Sequence, residues 1–347
     1  MLTGTNKISN ILLIYTGGTI GMIEDDQSGS YLPFSVESVL RFVPRLSELD
    51  VSLSVVSFDK PLDSAHVGLN EWLKIKNLVC DNYQDYDGFV ILHGTDTMAF
   101  SASAVGFLLQ GLNKPVIFTG SQLPISKVRS DAHENLVTAI EIAIAQKNGK
   151  PNVPEVAVFF DKNLYRAVRS TKDNAENFDA FSSPNYPVLA TAGVNIKFNK
   201  AFITPFSEKR ISPLMHIEKN VVILKLFPGI DDRFIKQNVS APWVKGIVLE
   251  TFGTGTVNLS VDSIEVLKTA INNGVLIYAV SQCNIGSVEI GKYKSSSVLK
   301  EIGVLSGSDI TSEAALVKLM VVLGNYSDNK EIESLLISNW IGELTEV

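Results

Sequence analysis

The chain has 347 residues, 45% hydrophobic and 19% charged, with a formal charge of −7 at pH 7. That composition excludes a disordered chain, and the length gives a prior of about two domains of ~150 residues each. The negative balance, with no lysine or arginine block, argues against a nucleic-acid binder.

The first apolar run, 10–15, follows no basic stretch and is too short for a secretory signal, so it reads as a buried strand. Further strands are expected at 88–93, 115–119 and 155–160, then at 220–226, 246–251 and 275–280. Most are nearly continuous apolar runs, the pattern of strands buried on both faces of a parallel sheet. Leu69, Trp72, Leu73, Lys76 and Val79 fall at helical spacing, with Asn70 and Glu71 near the start. Helices are expected over 98–109 and over 132–145, the latter capped by Ser130 or Asp131. Others suit 262–272, 312–323 and 330–339. This alternation predicts an α/β fold with right-handed crossovers. Between 194 and 218 the apolar pattern thins, and Pro205, Ser207, Glu208, Lys209, Arg210, Ser212 and Pro213 supply linker chemistry. The expected domains are therefore 1–193 and 219–347. No stretch approaches the roughly 20 apolar residues of a membrane-spanning helix. Cys80 and Cys283, far apart in sequence, read as free thiols of a cytoplasmic protein.

Two segments stand out. The run 11–15 is followed by Thr16-Gly17-Gly18-Thr19, and the run 89–92 by His93-Gly94-Thr95-Asp96-Thr97. If the two strands are parallel neighbours, both hydroxyl loops open into one crevice at their carboxyl ends, where open α/β sheets bind ligands. Two glycines after a strand permit a tight turn and leave amides free to face developing negative charge. The bland reading of the first segment is a structural turn, and of the second a helix cap. Functionally, Thr19 would be a hydroxyl nucleophile, Asp96 an acceptor for a substrate ammonium, and Thr95 a relay or a holder of water. A threonine hydroxyl needs a base or an amine to take its proton. Lys172, otherwise an ordinary solvated charge, becomes interesting in that context. Tyr31 lies in a glycine/serine loop, 28–33, that could close over a small ligand. The P-loop, dinucleotide-binding and G-x-S-x-G signatures do not occur. Histidines 66, 93, 133 and 216 are scattered without metal-ligand spacing, so no metal site is expected.

Taken together, Tyr15-Thr16-Gly17-Gly18-Thr19-Ile20-Gly21 and His93-Gly94-Thr95-Asp96-Thr97-Met98 resemble the bacterial L-asparaginases. Asp87 through Gly94, Pro115 through Gln122, Asn177-Phe178-Asp179-Ala180-Phe181 and Gly342-Glu343-Leu344-Thr345 resemble the cytoplasmic type I enzymes in particular. The resemblance spans nearly the whole chain. It implies a larger N-terminal α/β domain carrying the site, a smaller C-terminal α/β domain, and a homodimer or homotetramer. Thr19 matches the acyl-accepting nucleophile, and Tyr31 the loop tyrosine that assists it. Thr95, Asp96 and Lys172 match the second polar triad. Ser64 matches the serine that holds the substrate α-carboxylate, with Asp63 beside it; Asp96 also matches the group that binds the α-ammonium.

The resemblance thus implies hydrolysis of L-asparagine to aspartate and ammonia, without a cofactor. It leaves open a glutaminase-asparaginase, an amidotransferase-type subunit, or a non-catalytic amino-acid sensor. Thr171 and Cys283 also fit a second, regulatory asparagine site of some type I relatives. Glu250 stands where that pattern expects arginine, so activation by asparagine is expected to be weak or absent.

Overall fold

In the computed structural model, residues 8–21, 41, 43–291 and 294–346 are described. The chain divides into two units. One runs through Ser183 and resumes over Pro187–Pro213; the other takes Pro184–Tyr186 and runs on from Leu214.

The first unit is built on β1 (Ser9–Gly17), β2 (Val51–Leu62), β3 (Gly88–Leu92) and β4 (Val116–Thr119). A small hairpin, β5 (Gln146–Lys147) and β6 (Lys150–Pro151), precedes β7 (Val156–Phe160) and β8 (Asn163–Arg166). Four two-residue strands follow: β9 (Thr171–Lys172), β10 (Phe181–Ser182), β11 (Ala190–Thr191) and β12 (Lys197–Phe198). The eight-stranded sheet has the order β12-β11-β8-β7-β4-β3-β1-β2. It is parallel from β2 to β7 and antiparallel from β7 through β8 and β11 to β12. Every residue of β3, β4 and β7 is buried, as their unbroken apolar runs require. Helices α1 (Leu69–Asp81), α2 (Met98–Leu108) and α3 (Ala132–Ile144) flank the sheet. The core joins Leu12, Ile14, Phe89, Ile91, Phe118 and Val158 to Ile75, Val79 and Val105.

The second unit is a smaller parallel sheet, β13 (Val221–Lys225), β14 (Gly246–Thr251), β15 (Leu276–Ser281) and β16 (Leu305–Ser306), in that order. Its helices are α4 (Asp232–Val239), α5 (Val261–Asn272), α6 (Lys294–Glu301), α7 (Ser312–Asn325) and α8 (Asn329–Ile337). Lys318 of α7 and Glu343 are both fully buried and paired at 2.7 Å. Lys318 Nζ also donates to the carbonyls of Leu336 and Ser338, and Glu343 accepts from the amides of Trp340 and Ile341. A buried ion pair persists only when its remaining hydrogen-bonding capacity is met in this way.

The architecture is therefore the expected one: a mostly parallel sheet with helices in a larger N-terminal domain, and a smaller α/β domain behind it in sequence. The expected elements do not include β2, β8, α4, α6 or the two-residue strands. β2 carries Ser52, Ser54 and Ser57 among its apolar residues because it is the partly exposed edge strand. The change from first to second unit at Pro213–Leu214 falls within 194–218, but that segment is not all connection, since β12 lies in it. Among the described residues, no helix is long and apolar enough to cross a membrane.

Candidate active site

Because β1 lies between β3 and β2, the strand order reverses direction at the β1/β3 pair. An open α/β sheet binds ligands at that point, beyond the carboxyl ends of its strands. Each of the four strands there delivers a polar group: β1 leads to Thr19, β2 to Asp63 and Ser64, β3 to Thr95 and Asp96, and β4 to Gln122.

Glycine contacts bring these loops together. Gly18 has φ of 83°, and a Cβ there would stand 2.5 Å from Gly94 Cα. Only glycine allows both that backbone conformation and that approach. A Cβ on Gly94 would in turn stand 2.8 Å from Ser64 Oγ. The segment before Thr19 therefore rests on the segment before Thr95, which rests on Ser64. Hydrogen bonds hold the stack: Gly18 N donates to Leu62 O (2.9 Å), Thr16 Oγ1 to Leu92 O (3.0 Å), and Thr97 Oγ1 to Ser64 O (2.7 Å). Tyr15 Oη donates to Gly18 O at 3.4 Å, and burial pushes its phenol up to about 12. It stays protonated and serves the loop as a donor.

Thr19 is half-buried at the head of a single 3-10 turn, Thr19–Gly21. Thr95 and Asp96 do not cap the helix that follows them: Thr97 holds the N-cap position of α2, without a side-chain cap bond. Their side chains meet Lys172 instead. Lys172 Nζ donates to Thr95 Oγ1 at 2.8 Å and to Asp96 Oδ1 at 2.6 Å. The lysine side chain is 15% exposed and the aspartate 67%, so one face of the pair is closed and the other open. β9 carries Lys172 and pairs with β10, where Phe181 packs on Phe160 at 5.0 Å. That anchorage makes a loop lysine a fixed donor.

Ser64 is buried, while Asp63 is exposed and its carboxylate accepts from Ala65 N at 3.0 Å, capping a short turn. Tyr31 lies outside the described residues. Thr171 belongs to the first unit, and Glu250 and Cys283 to the second. Glu250 pairs with Lys225 of the adjacent strand at 3.4 Å, and Cys283 is exposed. Gln122, the last residue of the motif Pro115 through Gln122, accepts from Thr95 Oγ1 at 3.3 Å and donates through Nε2 to Asn177 O at 3.0 Å. No local signal marks it, since glutamine after a strand has no spacing rule. Among the described residues no three His, Cys, Asp or Glu gather as a metal site.

His93 is fully buried under this site. Its Nδ1 stands 2.7 Å from Gly94 O, which places a proton on Nδ1, and its Nε2 has no hydrogen-bond partner among the described residues. Burial pulls its pKa from 6.5 to about 4. The folded protein therefore binds this proton later than the unfolded chain as pH falls. The stability it contributes is whole above about 6.5 and is lost progressively towards pH 4. By pH 5 the expected loss from this group is about 2 kcal/mol. Urea unfolding at pH 7 and pH 5 should show a smaller pH effect in His93→Leu than in the natural protein; equal slopes would clear His93 as the cause.

A switch-point crevice that gathers hydroxyls, a carboxylate and a held lysine belongs to a two-domain α/β enzyme handling a small polar ligand. Comparison with known proteins sharpens this. The family description "Asparaginase, N-terminal" matches residues 10–204, and "Glutaminase/Asparaginase C-terminal domain" matches residues 220–336. L-asparaginase 1 of Escherichia coli is 36% identical over 341 residues, covering 97% of this chain and 98% of its own. The crystal structure of L-asparaginase I from Vibrio cholerae superposes with a TM-score of 0.87 at 35% identity, over 97% of this chain and 99% of that one. The thermostable L-asparaginase from Thermococcus kodakarensis gives a TM-score of 0.89 at 29% identity, over 97% and 100%. The chain belongs to the asparaginase family.

Proposed function

We propose that the chain is an L-asparagine amidohydrolase working by double displacement on Thr19. The observation that carries this reading is the Lys172 ammonium bonded to both Thr95 and Asp96 at the mouth of the β1/β3 crevice. The full-length likeness to L-asparaginases supports it.

Asp96, two-thirds exposed, takes the substrate α-ammonium, and Ser64 takes the α-carboxylate. Thr19 Oγ attacks the side-chain amide carbon, and its proton leaves through Tyr31 or water. Amides of the glycine loop and of Thr95 face the oxyanion, a contribution typically worth about 3–4 kcal/mol per donor. The C–N bond breaks, nitrogen takes up a proton, and ammonia departs, leaving a β-aspartyl ester on Thr19. A water held by Thr95 and Lys172 attacks that ester. Its proton returns to Thr19 as aspartate leaves. The free thiols Cys80 and Cys283 fit a reducing, cytoplasmic setting. Following the family resemblance, we place the enzyme there as a homodimer or homotetramer.

A coupled ammonia assay with asparagine and glutamine tests the reading. Release from asparagine is expected to exceed release from glutamine. Faster glutamine turnover would make this a glutaminase-asparaginase, and asparagine binding without ammonia release would make it a sensor. The same titration tests regulation. With Glu250 neutralising Lys225 and supplying no guanidinium fork, a second asparagine carboxylate meets repulsion. Rate against asparagine should be hyperbolic; a sigmoidal curve would show that an effector site operates despite Glu250.

A further inference from the structure

We propose that Asp131 is a positioning residue for this reaction, holding the turn after β4 so that Gln122 sets the direction of the Thr95 hydroxyl. The proposal rests on the amidohydrolase reading of the same site.

Asp131 occupies the N-cap position of α3 but makes no side-chain cap bond there. Ser130 takes that task, accepting from Ala132 N at 3.1 Å. The Asp131 carboxylate turns instead to the β4 turn. Its Oδ2 accepts from Gln122 N at 2.9 Å, and its Oδ1 accepts from Gln122 N and Leu123 N, each at 3.1 Å. Bonds to an ionised acceptor are roughly twice as strong as neutral ones. Asn135, one turn along the helix and buried, backs this clamp. Its Nδ2 donates to Asp131 Oδ2 (3.2 Å) and to Gly120 O (3.0 Å), and its Oδ1 accepts from Asp161 N (3.0 Å). Ser121 and Ser130 both donate to Leu123 O. Every residue of the turn 120–123 is thereby tied.

The clamp aims one side chain. Gln122 Nε2 is committed to Asn177 O, so the amide oxygen is the end that faces Thr95. Thr95 has a single hydroxyl proton, and it points to Gln122. One lone pair of Thr95 Oγ1 accepts from Lys172, and the other remains for the hydrolytic water, which must donate to it. That water then presents its own lone pair to the ester carbon. A misplacement of about 1 Å in such an arrangement can cost up to ~10²-fold in rate.

The test compares Asp131→Asn, Gln122→Leu and the double variant with the natural protein. Each single variant is expected to lower kcat about tenfold or more with KM changed less than about twofold. The double variant should lose no more kcat than the worse single, although its melting temperature falls further. A crystal structure of Asp131→Asn should show Gln122 out of hydrogen-bond reach of Thr95. Normal kcat in Gln122→Leu, kcat losses that multiply in the double variant, or an intact Thr95–Gln122 bond in that crystal structure would each overturn the proposal. If Asp131→Asn does not fold, Gln122→Leu decides alone. Absence of ammonia release by the natural protein would sink the amidohydrolase reading, and the crystal structure would still judge the positioning.

Discussion

Replacing Thr19 with alanine is expected to reduce ammonia release by several orders of magnitude, towards the ~10⁶-fold seen when a hydrolase loses its nucleophile. The fold gives no reason for the protein to fail otherwise. Thr19 is half-buried and follows the Gly17–Gly18 turn, so the loop is shaped by the glycines and by the Gly18–Leu62 bond. Truncating one hydroxyl at such a place changes stability by about 1 kcal/mol or less. Thr19→Ser keeps a hydroxyl and is expected to retain measurable turnover. Ammonia release from Thr19→Ala within tenfold of normal, with a covalent adduct trapped on another residue, would move the nucleophile elsewhere.

The second large effect is expected from the Thr95–Lys172 pair. Thr95→Val preserves shape and removes the oxygen that Lys172 reaches at 2.8 Å. Lys172→Met removes the ammonium and keeps the stem. Loss of general acid–base assistance lowers rates by about 10²–10⁴-fold, and each variant should fall in that range. Groups that act as a unit are not additive, so the double variant should be little slower than either single. Asp96, left without its lysine, is two-thirds exposed and solvated, so folding should survive. Near-normal rates in Lys172→Met would return it to the status of a surface charge. Multiplying losses would mean that the two act separately.

Much of this was legible in the chain. Strands β1, β3, β4 and β7, and later β13, β14 and β15, fall within a residue or two of the runs read as strands, because most are sheltered on both faces and need unbroken apolar sequence. Six of the helices, α1, α2, α3, α5, α7 and α8, stand where the sequence pattern places them, and the Gly68–Glu71 bond at the start of α1 follows from the position of Glu71. β2 escaped because an edge strand tolerates serine at its exposed positions, which blurs the apolar signal. The helix α4 escaped for a related reason: Asp232, Arg233, Lys236 and Gln237 leave only Ile235 and Val239 buried. Asp131 was legible as a cap and turned out to serve the turn after β4.

By itself the sequence determined the periodic elements, the α/β class, and the two glycine–hydroxyl segments, because burial and backbone freedom leave a local imprint on residue choice. Tertiary structure decided which polar groups meet. Whether Lys172 is solvated or bonded to Thr95 depends on a partner 77 positions away, and whether Asp131 caps α3 or holds Gln122 depends on where β4 ends. Asn185 makes the same point in the second unit, where its side chain bonds to Asn284, Gly286 and Asp309. A hydrogen bond is a choice among competing partners, and only the folded chain brings the distant ones within reach.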